Sequence, residues 1–323
     1  MDRRSVLASW ALLAIPGAAF AQGMEYPRPG STIRYVVPFP PGGLTDVMAR
    51  MVAQQLGARW KVNVVVENKP GGGGMIGADL VAKAPPDGQT LLAVTMTHAI
   101  NASLFKGRAP YDFERDLKPV ALLAGSSMLI VVPATSPIRD LNHLVAEAKI
   151  RTLNAGSSGN GTAPHLTLEL FNDLHKTRIQ HVPYKGGAPS ITDLLGGQLD
   201  VIFSNFPESV AHVKSGKLRA LAITSAQRHA QLPDVPTTAE FGMPKLTVEN
   251  WTAIMAPAAM PDAAVRTLSD AVLQVMAAPD MEERARSQGF RVDARGAAEF
   301  AAFSHSEVQR WAAIVKAANI RPE

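Results

Sequence analysis

The 323-residue sequence contains no cysteine. This absence excludes disulfide bonds, a lipid anchor attached through cysteine, thiolate metal sites and a cysteine nucleophile. Aromatic residues make up only 6% of the chain, and the formal charge of +4 comes without any basic run. The sequence therefore predicts no nucleic-acid partner. What it does contain is a hydrophobic fraction of 46%, which is enough for the cores of two ordinary globular domains.

The N-terminal segment has the pattern of an export signal. Two arginines precede an apolar run from Val6 to Ala14, and Ala19-Phe20-Ala21 matches the small-x-small pattern of a signal-peptidase site. A transmembrane helix is the alternative, but the run is too short for one and Pro16-Gly17 interrupts it. We predict a signal peptide over residues 1–21, cleaved after Ala21. The sequence leaves open whether export follows the general secretory or the twin-arginine route.

The mature chain is organised around a glycine turn that joins a strand to a helix. Ile33 to Val37 is a short, largely β-branched run typical of a parallel strand, and the prolines after it end the strand. Gly42 and Gly43 free the backbone, and Thr45 or Asp46 is a candidate N-cap for the next helix. Unpaired N–H groups at such a turn favour a carboxylate or phosphate. The residues predicted to bind ligand here are Phe39, Pro41, Gly42, Gly43, Leu44, Thr45 and Asp46.

The same pattern recurs further along the chain. The turns at 156–162 and 184–189 each follow a predicted strand and precede a helix that has proline in its first turn. We interpret Met96 to Asn101 as a loop that leaves the carboxyl end of one more strand, and Leu199 to Phe203 as a further strand that ends in Ser204 to Pro207. Ligands of open α/β sheets bind at these ends. The predicted binding residues from these segments are Thr97, His98, Ser157, Ser158, Gly159, Gly161, Thr162, His165, Tyr184, Lys185, Gly186, Gly187, Ser204 and Asn205.

The sequence patterns that would indicate a cofactor site or catalysis are weaker than these glycine turns. Gly72 to Gly77 satisfies G-x-G-x-x-G, but it does not directly follow its strand, and no ribose-binding acid is well placed after it. A serine hydrolase using Ser157 or Ser158, with His165 as base and Asp173 as orienter, is a rival interpretation. However, G-x-S-x-G is absent, and His165 and Asp173 are more than two helical turns apart. We predict no catalytic residue, no metal and no cofactor.

Alternation of strands and helices predicts an α/β protein with two domains. Val120 to Ala124 and Met128 to Val132 are apolar runs on either side of Gly125-Ser126-Ser127, where we expect the chain to cross between the domains. Leu218 to Thr224 is the strand expected to carry it back. The predicted domains are therefore residues 24–124 plus 225–323, which form the first, and 125–224, which form the second.

Four motifs in this order resemble one known family: Phe39 to Asp46, Glu67 to Gly71, Thr97 to Asn101, and Tyr184 to Gly187. The chain resembles the Bug-type extracytoplasmic solute receptors, the substrate-binding proteins of tripartite tricarboxylate transporters. The resemblance implies a two-lobed periplasmic binding protein of the Venus-flytrap, type II-like class, in which each lobe is a sheet flanked by helices and two crossing strands join the lobes. It also implies a non-enzymatic monomer that binds a small carboxylate through backbone amides and ordered waters.

The partners expected from this resemblance are the small organic carboxylate and the membrane subunits of the transporter. A periplasmic ligand sensor that serves a signalling partner is an alternative with the same fold, and an exported hydrolase is an alternative of another class. Family members that bind amino acids are expected to have an acidic side chain near Phe203 for the ammonium group. Because Ser204 and Asn205 are neutral and Asp46 is expected to cap its helix, we expect an organic acid to bind better than an amino acid.

Overall fold

The computed structural model describes residues 26–317 and 320–321, so the predicted signal peptide lies outside the described residues. Within them, strands and helices alternate, as the hydrophobic pattern predicts. The strands are β1 (Thr32–Val37), β2 (Asn63–Asn68), β3 (Thr90–Thr95), β4 (Leu117–Pro133), β5 (Asn154–Ser157), β6 (Gln180–Pro183), β7 (Val201–Asn205), β8 (Leu218–Ile223), β9 (Glu249–Pro257) and β10 (Arg291–Arg295). The helices are α1 (Leu44–Trp60), α2 (Met75–Ala82), α3 (Met96–Leu104), α4 (Leu141–Ile150), α5 (Ala163–His175), α6 (Gly187–Leu195), α7 (Phe206–Lys214), α8 (Asp262–Met276), α9 (Pro279–Ser287) and α10 (Ala297–Ala317).

The strands form a mixed sheet with the order β2-β1-β3-β9-β4-β7-β5-β6, and β8 and β10 also pair with β4. Strands joined through a helix, such as β1 with β2 and β5 with β6, run parallel, whereas every strand that pairs with β4 is antiparallel to it. Helices cover both faces and close four hydrophobic clusters. The chain thus has the α/β architecture of flanked sheets expected from its sequence.

Strand β4 connects two groups of strands. The first group is β2, β1, β3, β9 and β10, and the second is β7, β8, β5 and β6. Leu117 to Ser127 pairs with β9, and Met128 to Pro133 pairs with β7 and β8. Gly125-Ser126-Ser127, which separate two apolar runs in the sequence, continue the ladder opposite β9. These small residues remain in a strand because β4 is paired along both edges here: Gly125 pairs with β9 on one edge and with β10 on the other. The predicted domain boundaries themselves remain a prediction.

Two local predictions are wrong. Met96 to Asn101 is the start of helix α3 and is not a loop: Thr95 caps the helix by accepting from the Thr97 N–H, and the His98 ring accepts from the Thr95 N–H in return. This reciprocal capping box stabilises a helix start that has no glycine or proline to mark it. Helix α1 has Gly43 as its N-cap, in place of Thr45 or Asp46, because both of those residues already lie within its first turn.

Helix α10 is attached to β9 through a buried carboxylate. Glu307 is only 5% exposed and accepts a hydrogen bond from Trp251 Nε1 at 2.9 Å and from Trp311 Nε1 at 3.4 Å. Arg310 adds an ion pair at 3.1 Å. A buried indole N–H without an acceptor is costly, so this carboxylate satisfies groups on two elements at once. Among the residues with described structure, no helix is long and apolar enough to cross a membrane.

We predict that Glu307→Ala lowers the free energy of unfolding by about 2–4 kcal/mol, since it leaves two indole N–H groups buried without an acceptor. Glu307→Gln keeps one acceptor and should cost less. Urea denaturation followed by circular dichroism measures both changes. The control is Glu299→Ala on the exposed face of the same helix, expected to shift stability by less than about 0.5 kcal/mol. Equal effects at positions 299 and 307 would contradict this account of how α10 is attached.

Candidate ligand-binding cleft

The amino ends of five helices meet in one cleft at the carboxyl ends of the strands. Helices α1, α3, α5, α6 and α7 each begin one to seven residues after a strand ends, and residues at or beside the first turn of each line the same space. The residues that line the cleft are Phe39, Pro40, Pro41, Gly42, Gly43, Leu44, Thr45, Thr95, Thr97, Ser158, Pro164, Gly186, Gly187, Ala188, Asn205, Pro207, Glu208 and Asn250. Both groups of strands contribute to this lining.

The cleft is small. Its volume is about 140 Å³, close to that of an engineered protein cavity of about 150 Å³ that admits benzene. This volume fits a ligand of roughly six to ten non-hydrogen atoms. In this conformation the cleft is smaller than a nucleotide or an oligosaccharide.

The polar groups of the cleft are mainly backbone amides at helix starts. The first-turn N–H groups of a helix have no acceptor within the helix, and the helix dipole adds a partial positive charge there. Gly43 and Gly186 are the N-caps of α1 and α6, and neither has a side chain that could cap its helix. In the part of the chain that the structure describes, no lysine, arginine or histidine lines the cleft. Its attraction for anions therefore comes from amides and dipoles.

The first glycine turn is held in shape by Asp46. The Gly42 N–H donates to Asp46 Oδ2 at 2.9 Å, and Gly42 has a φ of +82°, a conformation that favours glycine. Arg50 and Asn68 also donate to this carboxylate. Burial acts to raise the pKa of Asp46, but these hydrogen bonds outweigh it and hold the pKa below its usual range. Asp46 thus shapes the turn from behind and does not line the cleft.

The structure brings together a large part of the predicted site. The predicted residues that line the cleft are Phe39, Pro41, Gly42, Gly43, Leu44, Thr45, Thr97, Ser158, Gly186, Gly187 and Asn205. The predicted residues outside the lining are Asp46, His98, Ser157, Gly159, Gly161, Thr162, His165, Tyr184, Lys185 and Ser204. Most of the second set supports the turns: the Tyr184 hydroxyl, for example, donates to Asp193 at 2.6 Å. Lys185 is exposed.

The two histidines predicted to bind ligand are buried structural residues. His98 is fully buried, and burial lowers its pKa to about 4, so its ring is neutral and completes the capping box of α3. His165 is 3% exposed, accepts from the Gly161 N–H and stacks on His181 with ring centroids 3.9 Å apart. Both histidines therefore fix loop geometry around the cleft.

The arrangement proposed for a serine hydrolase is not formed. Ser157 is 1% exposed, and its hydroxyl contacts His181 Nε2 at 2.6 Å instead of His165. Asp173 pairs with Lys176 on the surface at 2.9 Å, so it does not orient either histidine. Ser158, which does line the cleft, has none of these groups as a hydrogen-bond partner within the described chain.

Glu208 is the acidic residue that sequence reasoning missed. The Glu208 carboxyl lines the cleft and lies opposite Gly43, whereas Asp46 holds the first turn from behind. Its Oε1 accepts from Asn205 Nδ2 at 3.0 Å, and it also accepts from the Leu44 N–H. Burial raises the pKa of Glu208 to about 7 against the opposing effect of these hydrogen bonds. Its position after Asn205-Phe206-Pro207, in the first turn of α7, is the signal that could have found it.

Asn250 is the other missed polar residue. It follows Glu249 at the start of β9, and its Nδ2 donates to Asn205 Oδ1 at 2.9 Å across the two groups of strands. Asn205 in turn donates to Glu208, which gives a chain of hydrogen bonds along one wall of the cleft. No glycine turn or predicted carboxyl end of a strand lies beside Asn250 in the sequence, so the sequence alone does not indicate that Asn250 reaches the cleft.

A second, larger cleft of about 760 Å³ lies along β4, β9, β10 and α10. Five arginines line it, and three of them, Arg291, Arg295 and Arg310, are each paired with a carboxylate of the same surface at 2.8–3.1 Å. No set of helix amino ends opens into it within residues 26–317. We therefore assign the ligand site to the smaller cleft. Among the described residues, no group of three or more histidine, aspartate or glutamate side chains is arranged to hold a metal ion.

Comparisons with known proteins agree with this architecture. Residues 48–320 match the family described as the tripartite tricarboxylate transporter family receptor. Protein BugT of Bordetella pertussis is 36% identical over 89% of this chain and 89% of its own length. The structure of Rhodopseudomonas palustris MatC with bound malate is 31% identical, with a TM-score of 0.83 over 88% of this chain and 98% of that one. The structure of R. palustris Rpa4515 with adipate is 32% identical, with a TM-score of 0.88 over 92% of this chain and 100% of that one. The chain belongs to the tripartite tricarboxylate transporter receptor family and has the periplasmic binding protein fold.

Proposed function

We propose that this receptor captures a small carboxylate in the smaller cleft, in the periplasm, and delivers it to the membrane subunits of a tripartite tricarboxylate-type transporter without chemical change. The observation that carries the proposal is the convergence of five helix amino ends on a cleft of about 140 Å³. Open first-turn amides are well suited to carboxylate oxygens. The similarity to receptors solved with malate and adipate supports the same ligand class.

The proposed mechanism is hinge closure between two lobes, with boundaries near residues 124 and 224. The glycine turn at 42–43 belongs to the first proposed lobe, and the turn at 186–187 belongs to the second. These turns approach closely: a Cβ on Gly186 would lie 2.8 Å from Pro40 Cγ. A ligand that contacts amides of both turns can do so only when the lobes are closed, so it stabilises the closed state.

A screen of organic acids tests the ligand class. We expect L-malate, succinate or adipate to raise the melting temperature of the mature protein, with about 2.7 kcal/mol of stabilisation when the ligand is a hundredfold above its dissociation constant. Differential scanning fluorimetry detects the shift and calorimetric titration gives the Kd. Sugars of similar size serve as the control class. Stabilisation by sugars, with none by any carboxylate, would contradict the proposed function.

Gly187→Ala tests the site itself. A Cβ at Gly187 would collide with the Glu208 carboxyl, so this carboxyl would have to move from its position in the cleft. We expect carboxylate affinity to fall at least tenfold, about 1.4 kcal/mol, with little loss of stability because alanine is a good helix former.

The matched control is Gly196→Ala at the other end of the same helix, where a Cβ would meet only ordinary contacts at 3.4 Å or more. Its affinity for the carboxylate should equal that of the unmodified protein. Wild-type affinity in Gly187→Ala would show that the ligand binds away from this cleft.

A further inference from the structure

The proposed function leaves one unexplained feature, since a site for anions contains a carboxyl group of its own. Glu208 lines the cleft and lies close to both glycine turns. A Cβ on Gly43 would lie 3.4 Å from Glu208 Oε1, and a Cβ on Gly187 would contact Glu208 Oε2. The absence of a side chain at Gly187 therefore leaves room for the Glu208 carboxyl, whereas at Gly43 a Cβ would be at ordinary contact distance from it. The inference that follows rests on the proposed function and specifies how Glu208 takes part in it.

The charges around Glu208 do not neutralise it. From α1, Asp46 and Arg50 pair with each other at 2.9 Å. From the turn before α6, Lys185 points to solvent and Tyr184 donates to Asp193. From α3, His98 is buried in neutral form, and from β9, Glu249 pairs with Arg291.

The partners of Glu208 itself are all neutral: the Leu44 N–H, the Asn205 N–H and Asn205 Nδ2. Among the ion pairs formed by residues of the described chain, none includes Glu208.

An ionised Glu208 would therefore repel a carboxylate ligand. Two unit negative charges about 5 Å apart repel strongly in an enclosed site, where the effective dielectric constant is far below that of water. Two carboxyl groups that share such a site hold one proton between them, because the second ionisation is suppressed. The proton then forms a short, charge-assisted hydrogen bond from the neutral acid to the carboxylate.

We propose that Glu208 receives the ligand as a neutral carboxylic acid and donates its proton in a hydrogen bond to a carboxylate oxygen of the bound anion. The free receptor with Glu208 ionised takes this proton from solvent as the ligand binds. One proton enters with each anion. The complex therefore carries one negative charge fewer than the ionised receptor and the ionised ligand carry together. Glu208 thereby acts as the specificity-determining residue for a carboxylate without an ammonium group.

This assignment predicts a selectivity in two directions. An amino acid would bring an ammonium group to a neutral acid that offers it little compensation, so succinate should bind more tightly than aspartate.

At higher pH, Glu208 loses its proton and organic acids should bind more weakly. The pKa of Glu208 in the free protein is raised to about 7. If only the protonated form binds, affinity falls about 25-fold between pH 6.5 and pH 8.5.

Calorimetric titration of the mature receptor with succinate tests the proposal. Titrations at pH 8 in two buffers of different ionisation enthalpy should give an uptake approaching one proton per ligand, and this measurement needs no variant. Glu208→Gln keeps a donor and cannot ionise, so it should bind succinate with no proton uptake and with a Kd that is flat from pH 6.5 to pH 8.5. Glu283→Gln, an exposed position on α9, is the matched control and should behave as the unmodified protein.

Two results would overturn the inference while leaving the proposed function intact. One is carboxylate binding without proton uptake in the unmodified protein. The other is tighter binding of aspartate than of succinate together with loss of aspartate binding in Glu208→Gln, since an ionised Glu208 would then pair with the ammonium group. Failure of every carboxylate to bind at any pH between 6 and 8.5 would instead overturn the proposed function.

Discussion

The proposed anion site depends on the backbone amides at the amino ends of helices. Each of the five helices that begin at the cleft contributes a partial positive charge of about half a unit at most, and these charges are fixed by the sheet that positions the helices. A lysine or arginine would bring a larger charge but also a long side chain whose ordering costs entropy. Glycine N-caps at α1 and α6 avoid that cost and keep the cleft small enough for a ligand of a few carbon atoms.

Strand β4 explains how the cleft can be shared by two groups of strands. Its first part pairs with β9 and its second with β7 and β8, so one strand sets the relative position of the turns that follow β1 and β6. Asn205 and Asn250 bond to each other near this junction. A ligand that draws the two turns together therefore acts on a scaffold that already orients them.

The parts of the site that the sequence predicts are the ones encoded locally. Glycine pairs such as Gly42-Gly43 and Gly186-Gly187 can be identified in the sequence because each lies between a strand end and a helix start, and both pairs line the cleft. Glu208 and Asn250 reach it through tertiary structure, one from inside a helix and the other from a strand distant in sequence. The sequence predicts a loop at the start of helix α3 because that helix begins with a reciprocal capping box of Thr95 and His98. No glycine or proline marks this helix start in the sequence. Histidines in such loops were read as ligand contacts, whereas burial makes them structural.

The most direct test of the central claim is a crystal structure of the mature receptor with adipate bound. The account predicts carboxylate oxygens within hydrogen-bonding distance of the first-turn amides of α1 and α6, with Glu208 beside one carboxylate and no arginine or lysine in contact. Adipate bound instead in the larger cleft, on Arg291, Arg295 or Arg310, would contradict it. That result would mean that side-chain cations, and not helix amino ends, hold the ligand.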